Sequence, residues 1–444
     1  MRRSFERLLP LLVLSSAAFA QLYQATPLRS SGRGSPQNGL TVALGLNDAG
    51  IVVGTYILPN SSRHVCYWSP TGAVTDVGTL GGTYGVGFGI NNLKQIVGES
   101  TTAGDAQTKA FIWSEATGMQ SLPSLGLGIQ DRAYAINDNS EVVGFSCLGS
   151  ECIGDYHAFR WTQSGGIHDL GTLPGGTETI ANAINAVGHI VGSVNFSDGS
   201  ARAFLWTPGT GMRELAPNSG LKNYGASAIN NSDQVIGSFL NSTDGEGHAF
   251  SWTSGTGIED LGTLEGGWSE ALAINDSGDI VGFGRNAAQT DGFELIWRPG
   301  TPIQELGPLA GTYLNEAATG ISTSGQIAAN GDRPLLLTPT WVELSTHQLS
   351  FGSWPVGQTS TVKTVTLTNI ATTPLTINRI GIGGTNPGDF AEVNNCGSSV
   401  APSASCIIQV TFKPTATGLR TALVRVADSD RVSPQRIKLS GTGI

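Results

Sequence analysis

The side chains able to do chemistry in this chain of 444 residues are few, and most of them recur at fixed positions. An Asn returns at Asn47, Asn91, Asn137, Asn185, Asn230 and Asn275, each ahead of a turn-forming string such as Asn275-Asp276-Ser277-Gly278-Asp279. A calcium loop needs a spaced run of acidic oxygens and a distal Glu, which this string lacks, so no metal is expected. Asn before a turn accepts hydrogen bonds from backbone amides a few residues on, and capping is its expected role. His64, His157 and His248 each open a strand-like run in a separate repeat, too dispersed for one metal site. The chain has no Gly-x-Ser-x-Gly elbow, no His-Glu-x-x-His and no phosphate loop. Neither catalysis nor a cofactor is expected.

The elements that carry these residues follow from composition. Gly supplies 61 residues, while charged residues make up only 13% of the chain. Long helices need exposed faces of Lys, Glu and Ala, so this composition favours short strands joined by tight turns. At 39% hydrophobic residues the chain can bury a sizeable core, which excludes disorder.

The Asn-to-Asn spacings are 44, 46, 48, 45 and 45 residues, with 47 more to a worn seventh copy at Ser322. Seven residues after each Asn stands a Gly, at Gly54, Gly98, Gly144, Gly192, Gly237 and Gly282. A second motif, His157-Ala158-Phe159-Arg160-Trp161, returns as variants that end at Trp68, Trp113, Trp206, Trp252 and Trp297. Cys66 fills the Phe slot in its copy and reads as a small buried hydrophobe. A third motif, Asp169-Leu170-Gly171-Thr172-Leu173, completes each unit. Four short strand runs every ~45 residues make a propeller blade. The last copy lacks a fourth run, and Leu22–Leu28 can supply it. The expected fold is therefore all-β: a seven-bladed β-propeller of four-stranded repeats closed by an N-terminal strand, then a second β domain.

Arg2, Arg3 and Arg7 precede an apolar run from Leu8 to Ala18, and Ala18-Phe19-Ala20 offers a cleavage site. This is the layout of a secretory signal peptide, which places the protein outside the cell or at its surface after cleavage near Ala20. No other apolar run reaches ~18 residues, so no transmembrane segment is expected in the mature chain. Residues 21–339 carry 13 basic and 28 acidic side chains, a net charge of −15, whereas residues 340–444 carry 8 and 5. That acidic surface repels phosphate backbones and argues against nucleic acid as a partner. The sign change near 340 marks a boundary, giving domains at 1–20, 21–339 and 340–444. In an exported chain the pairs Cys147 with Cys152 and Cys396 with Cys406 are expected as disulfides.

The linked His-Ala-Phe-x-Trp, Asp-Leu-Gly-Thr-Leu-x-Gly-Gly and Ile-Asn-x-x-Gly-x-Val-Val-Gly strings resemble the HAF family of extracellular bacterial repeats over residues 22–339. That likeness implies a secreted repeat protein and carries over no catalytic residues. Residues 345–444 resemble immunoglobulin-type domains of the choice-of-anchor D kind, related to abnormal-spindle and hydin domains. The matching strings are Leu349-Ser350-Phe351-Gly352, Val365-Thr366-Leu367-Thr368-Asn369, Cys406–Pro414 and Leu439–Gly443. An immunoglobulin-like β-sandwich is expected there. Alternation along Cys406–Lys413 agrees, with Cys406, Ile408, Val410 and Phe412 on one face.

Where the repeats stop repeating, a binding site can arise. The loops entering each first strand hold Tyr84, Arg132, Glu178, Tyr224, Trp268, Glu270, Tyr313 and Glu316. They are expected on the same end as the loops between second and third strands, one of which carries Cys147 and Cys152. Aromatic faces among polar groups suit flat polar ligands, so Tyr84, Tyr224, Trp268 and Tyr313 are expected to stack on an extracellular glycan or on a surface protein. The chain reads as a non-catalytic binding or adhesion protein. The alternatives are a polysaccharide hydrolase or lyase using Glu178, Glu270 and Glu316, and a purely structural surface scaffold.

Overall fold

The structure, a computed structural model, describes residues 23–28 and 41–444 apart from 128, 151, 153, 218, 222, 265, 289–291, 307–316, 332, 372 and 431. The expected signal peptide, Tyr313 and Glu316 lie outside the described residues. Among the described residues strands dominate, with short 3-10 turns at Ala103–Asp105 and Pro387–Asp389. The chain divides into two compact units, Ala25–Leu337 and one containing Thr338–Ile444.

In the first unit one repeat sets the pattern. Asp131–Ile136, Val142–Cys147, Tyr156–Thr162 and Gly166–Asp169 pair in that order as an antiparallel sheet. The same order recurs from Gly176 to Glu214, from Tyr224 to Asp260 and from Trp268 to Glu305. Two further repeats, Val42 to Gly78 and Gly81 to Ser121, are joined into one sheet by a lone parallel pairing of Arg63 with Tyr84. Ala317–Ile321, Ile327–Asn330 and Leu335–Pro339 form the last sheet, and the N-terminal strand Tyr23–Pro27 is its fourth member. Each sheet packs on the next and the last meets the first, which is the arrangement of a β-propeller.

The recurring Gly has a steric cause. The first strand of each repeat bulges, between Ala133 and Ala135 for example, and this turns the Arg132 carbonyl toward the second strand. A Cβ on Gly144 would overlap that oxygen, and Gly54, Gly98, Gly192, Gly237 and Gly282 meet the same obstacle.

The core is a series of layers between consecutive sheets. Val143 and Ala158 of one sheet pack with Ala181, Ile184, Ile190 and Phe204 of the next, and five comparable clusters follow this rule. Phe111, Phe159, Phe204 and Phe250 are fully buried at the centre of these layers. The Trp two places on is buried at Trp68, Trp252 and Trp297 but only partly at Trp113, Trp161 and Trp206. Cys66 is buried beside Ala328 and Leu336 of the last sheet, and desolvation pushes its thiol pKa well up.

Polar bonds tie the layers together. The Asn137 side chain accepts backbone N–H from Asn139 and Glu141, holding its own turn. Its Nδ2 donates to the Asn185 carbonyl of the next sheet at 3.0 Å. The same link runs from Asn47 to Asn91, Asn91 to Asn137, Asn185 to Asn230, Asn230 to Asn275 and Asn275 to Ser322 at 3.0–3.2 Å. All six Asn are buried.

The second unit is an immunoglobulin-like β-sandwich. One sheet orders Val342–Leu344, Lys363–Asn369, Ser405–Phe412 and Phe390–Asn394; the other orders Gln348–Trp354, Gln435–Gly443, Gly418–Asp428, Leu375–Gly383 and Ser399–Val400. Cys406, Ile408, Val410 and Phe412 point into its core. Cys396 is bonded to Cys406, and Cys147 to Cys152 in the first unit.

Asn137→Ala removes the cross-sheet bond to the Asn185 carbonyl, which keeps only the Gly188 amide, and leaves the amides of Asn139 and Glu141 without their acceptor, so it should cost about 2–4 kcal/mol in urea unfolding. Asn92→Ala, which removes bonds made at the surface, should cost under about 1 kcal/mol. A smaller loss at Asn137 than at Asn92 would show that the buried Asn links do not hold the sheets together.

Candidate recognition end of the propeller

First strands contact one another around the ring and so line its middle. The entry loops and the loops between second and third strands lie at one end, as their hydrogen bonds show. Leu240 N–H donates to the Asn223 carbonyl at 2.9 Å, and Cys147 N–H to that of Gln130 at 3.1 Å. The Asn-capped turns occupy the opposite end of the first strands.

Tyr84 and Arg132 meet on one carboxylate that the sequence reading missed, Glu99, which is only 2% exposed. Tyr84 Oη donates to Glu99 Oε1 at 3.1 Å and Arg132 Nε to Oε2 at 2.8 Å. Burial, followed by this carboxylate, raises the Tyr84 pKa. Arg132 also lies over the rings of Phe88, Tyr134 and Phe145. It is a component of the interface between two sheets rather than a free ligand-binding cation.

One interface further, Glu178 accepts from Tyr156 Oη at 2.8 Å and from Asn195 Nδ2 at 2.9 Å. Burial and the Glu178 bond push the Tyr156 pKa up to about 12. Phe145 connects the two clusters through ring contacts with Tyr134 and Tyr156. Asp131 is likewise satisfied, by Ser124, Ser146 and Lys109.

Tyr224 requires a correction. Its side chain is 2% exposed within an apolar cluster, with Oη donating to Glu214 Oε1 at 2.9 Å, so although it borders the cleft lined by Trp268 it is packed rather than laid open for stacking. The cause is strand parity, because Tyr224 shares its face with Ala226, which packs into the same cluster beside Val191 and Ala203 of the preceding sheet. The three strand-opening histidines also have partners: His64, His157 and His248 approach Asp76, Asp169 and Asp260 at 3.0, 2.9 and 2.8 Å.

Trp268 is part-exposed and edges against Phe283, with ring centres 5.4 Å apart. It lines a cleft of ≈ 320 Å³ together with Asn223, Tyr224, Gly225, Ser238, Phe239, Leu240 and Gly247. Two residues along the same strand face stands Glu270, which has no hydrogen-bond or ion-pair partner among the described residues. Desolvation alone raises its pKa. Among the described residues no grouping of His, Cys, Asp and Glu suits a metal ion, and no helix is long and apolar enough to cross a membrane.

The structure thus distributes the sequence-predicted residues over several sheet interfaces. Tyr84 with Arg132, Glu178 by itself, and Trp268 with Glu270 fall into three places at the same end. The partners missed by sequence, Glu99, Glu214, Tyr156 and Asn195, all sit on strands other than the first.

Comparison with known proteins gives the following likenesses. The family model described as Cep192 domain 4 matches residues 339–444, the immunoglobulin-like unit. The ASH/PapD-like domain of human CEP192 is similar at 20% identity, over 24% of this chain and 86% of that one, with a TM-score of 0.18. Virginiamycin B lyase from Staphylococcus aureus is similar at 11% identity, over 71% and 98%, with a TM-score of 0.45. TolB from Acinetobacter baumannii is similar at 11% identity, over 73% and 90%, with a TM-score of 0.36. No curated protein matches the sequence.

The raised pKa of Glu270 has a defined sign for stability. A carboxylate that is harder to ionise when folded destabilises the fold once pH exceeds the unfolded Glu value, about 4.3, and has no effect below it. Glu270→Gln should therefore raise the thermal midpoint at pH 7 and leave it unchanged near pH 3.5, as read by calorimetry at both pH values. An equal shift at both would assign the effect to packing rather than charge.

Proposed function

We propose that this is a secreted, non-catalytic binding protein, in which the loop-bearing end of a seven-bladed propeller recognises an extracellular glycan or surface protein. The immunoglobulin-like unit serves as a spacer or docking module, in keeping with the resemblance to HAF repeats and choice-of-anchor D domains. Two disulfides fit an oxidising, extracellular setting. The observation that carries the reading is the Trp268 cleft, an aromatic face bordered by Asn223 and Ser238 on rigid strands. Sugars are held in this way, by stacking of a ring face with polar groups at its rim. One observation favours a hydrolase or lyase, the raised pKa of Glu270, which a general acid needs.

The test is a glycan and cell-wall array probed with residues 21–444. A specific hit that weakens about 10-fold or more with Trp268→Ala, about 1.4 kcal/mol, is the expected result. Released product from the bound glycan would convert the binder into an enzyme. A hit indifferent to Trp268 would move recognition elsewhere on the surface.

A further inference from the structure

Three carboxylates at the loop-bearing end are held by donors from the protein itself. Glu99 is held by Arg132 and Tyr84, Glu178 by Tyr156 and Asn195, and Asp131 by Ser124, Ser146 and Lys109. Glu270 is part-buried and has no such partner among the described residues. The cation carried on the adjoining strand, Arg285, pairs in register with Trp268 and lies over the Phe283 ring at 5.3 Å, and it makes no ion pair with Glu270. A carboxylate withdrawn from water without a counter-charge costs stability. The charge that would offset this cost is then one that arrives with a ligand.

We infer that the Trp268 cleft takes a glycan bearing free amines, an oligomer of glucosamine-type sugars long enough to set a sugar face on the Trp268 indole and an ammonium group on the Glu270 carboxylate, which stands outside the cleft opposite Phe283, the ring that Trp268 edges against. The inference rests on the glycan-binding reading above and specifies its chemistry. Its parts suit one another. An indole attracts a cation as well as a sugar face, and the ammonium supplies charge-assisted hydrogen bonds that a neutral sugar cannot. The acidic propeller, with 13 basic and 28 acidic side chains over residues 21–339, concentrates polycations at its surface and disfavours anionic glycans.

Titration of residues 21–444 with β-linked glucosamine oligomers and with their fully N-acetylated counterparts, followed by calorimetry, tests this. The expected result is at least 10-fold tighter binding of the free-amine oligomer. Glu270→Gln should abolish that preference by weakening the free-amine oligomer, with an unchanged circular-dichroism spectrum reporting that the variant is folded. Trp268→Ala should weaken both. Equal affinity for the two oligomers, unaffected by Glu270→Gln, would overturn the amine assignment and leave glycan binding standing. Binding of neither oligomer, with another glycan captured on the array, would overturn it too. A blank array with lysine-rich peptides bound in its place would defeat the glycan reading itself.

Discussion

A single buried amide per repeat sets the spacing of this ring. The side chain of Asn137 faces two ways, its oxygen closing the turn that follows and its nitrogen reaching the Asn185 carbonyl one sheet on. A side chain that does only one of these jobs loses either the acceptor for the turn amides or the cross-sheet bond, which explains why Asn, among the residues that favour turns, recurs here six times. The seventh copy confirms the requirement by its repair. Ser322 caps its turn through Oγ but is too short to reach across, and the closing interface is stitched by other groups. Asp48 accepts from the Thr323 amide and hydroxyl, and Asn330 both donates to and accepts from Ala43.

This constraint also divides the propeller into two unlike ends. Turn-end residues are committed to capping and to bridging sheets, as the Asn92 contacts with Asp48 and Asp138 illustrate. Since no sheet owns a core of its own, every first strand must also match the apolar face behind it. What remains free to vary is the far end, where first strands emerge and where loops such as Cys147–Cys152 lie. Chemical diversity collects there because the Asn caps and the bridges they make lie at the other end and do not constrain it.

The period, the fourth strand borrowed from the N-terminus and the inward face of Cys406–Phe412 were legible because each is a matter of spacing or alternation along one segment. The role of the repeated Gly was visible as a pattern but not as a cause, since the obstacle is a carbonyl displaced by a bulge in another strand. The charge pairs were not legible. Glu99 and Arg132 are 33 residues apart in different repeats, and only the ring geometry joins them. Tyr224 was misplaced although the signal existed: it is two residues from Ala226, on the parity that packs against the preceding sheet. Alternation within the first strand, read together with loop position, would have separated Tyr224 from Trp268.

That separation bears on whether this end binds or catalyses. Glycoside hydrolysis by the usual route takes two carboxyl groups, about 5–10 Å apart across a sugar, one of them free to give or take a proton. Glu178 and Glu99 are each engaged by a tyrosine and a second donor in interfaces other than that of Trp268, so neither is poised to serve Glu270. A carboxylate near an indole can hold a ligand, since recognition asks only for complementary charge and a face to stack on. On the proposal of an amine-bearing glycan, the cost of keeping Glu270 desolvated is offset when the ligand binds, and a local instability of the free protein becomes selectivity for a cation.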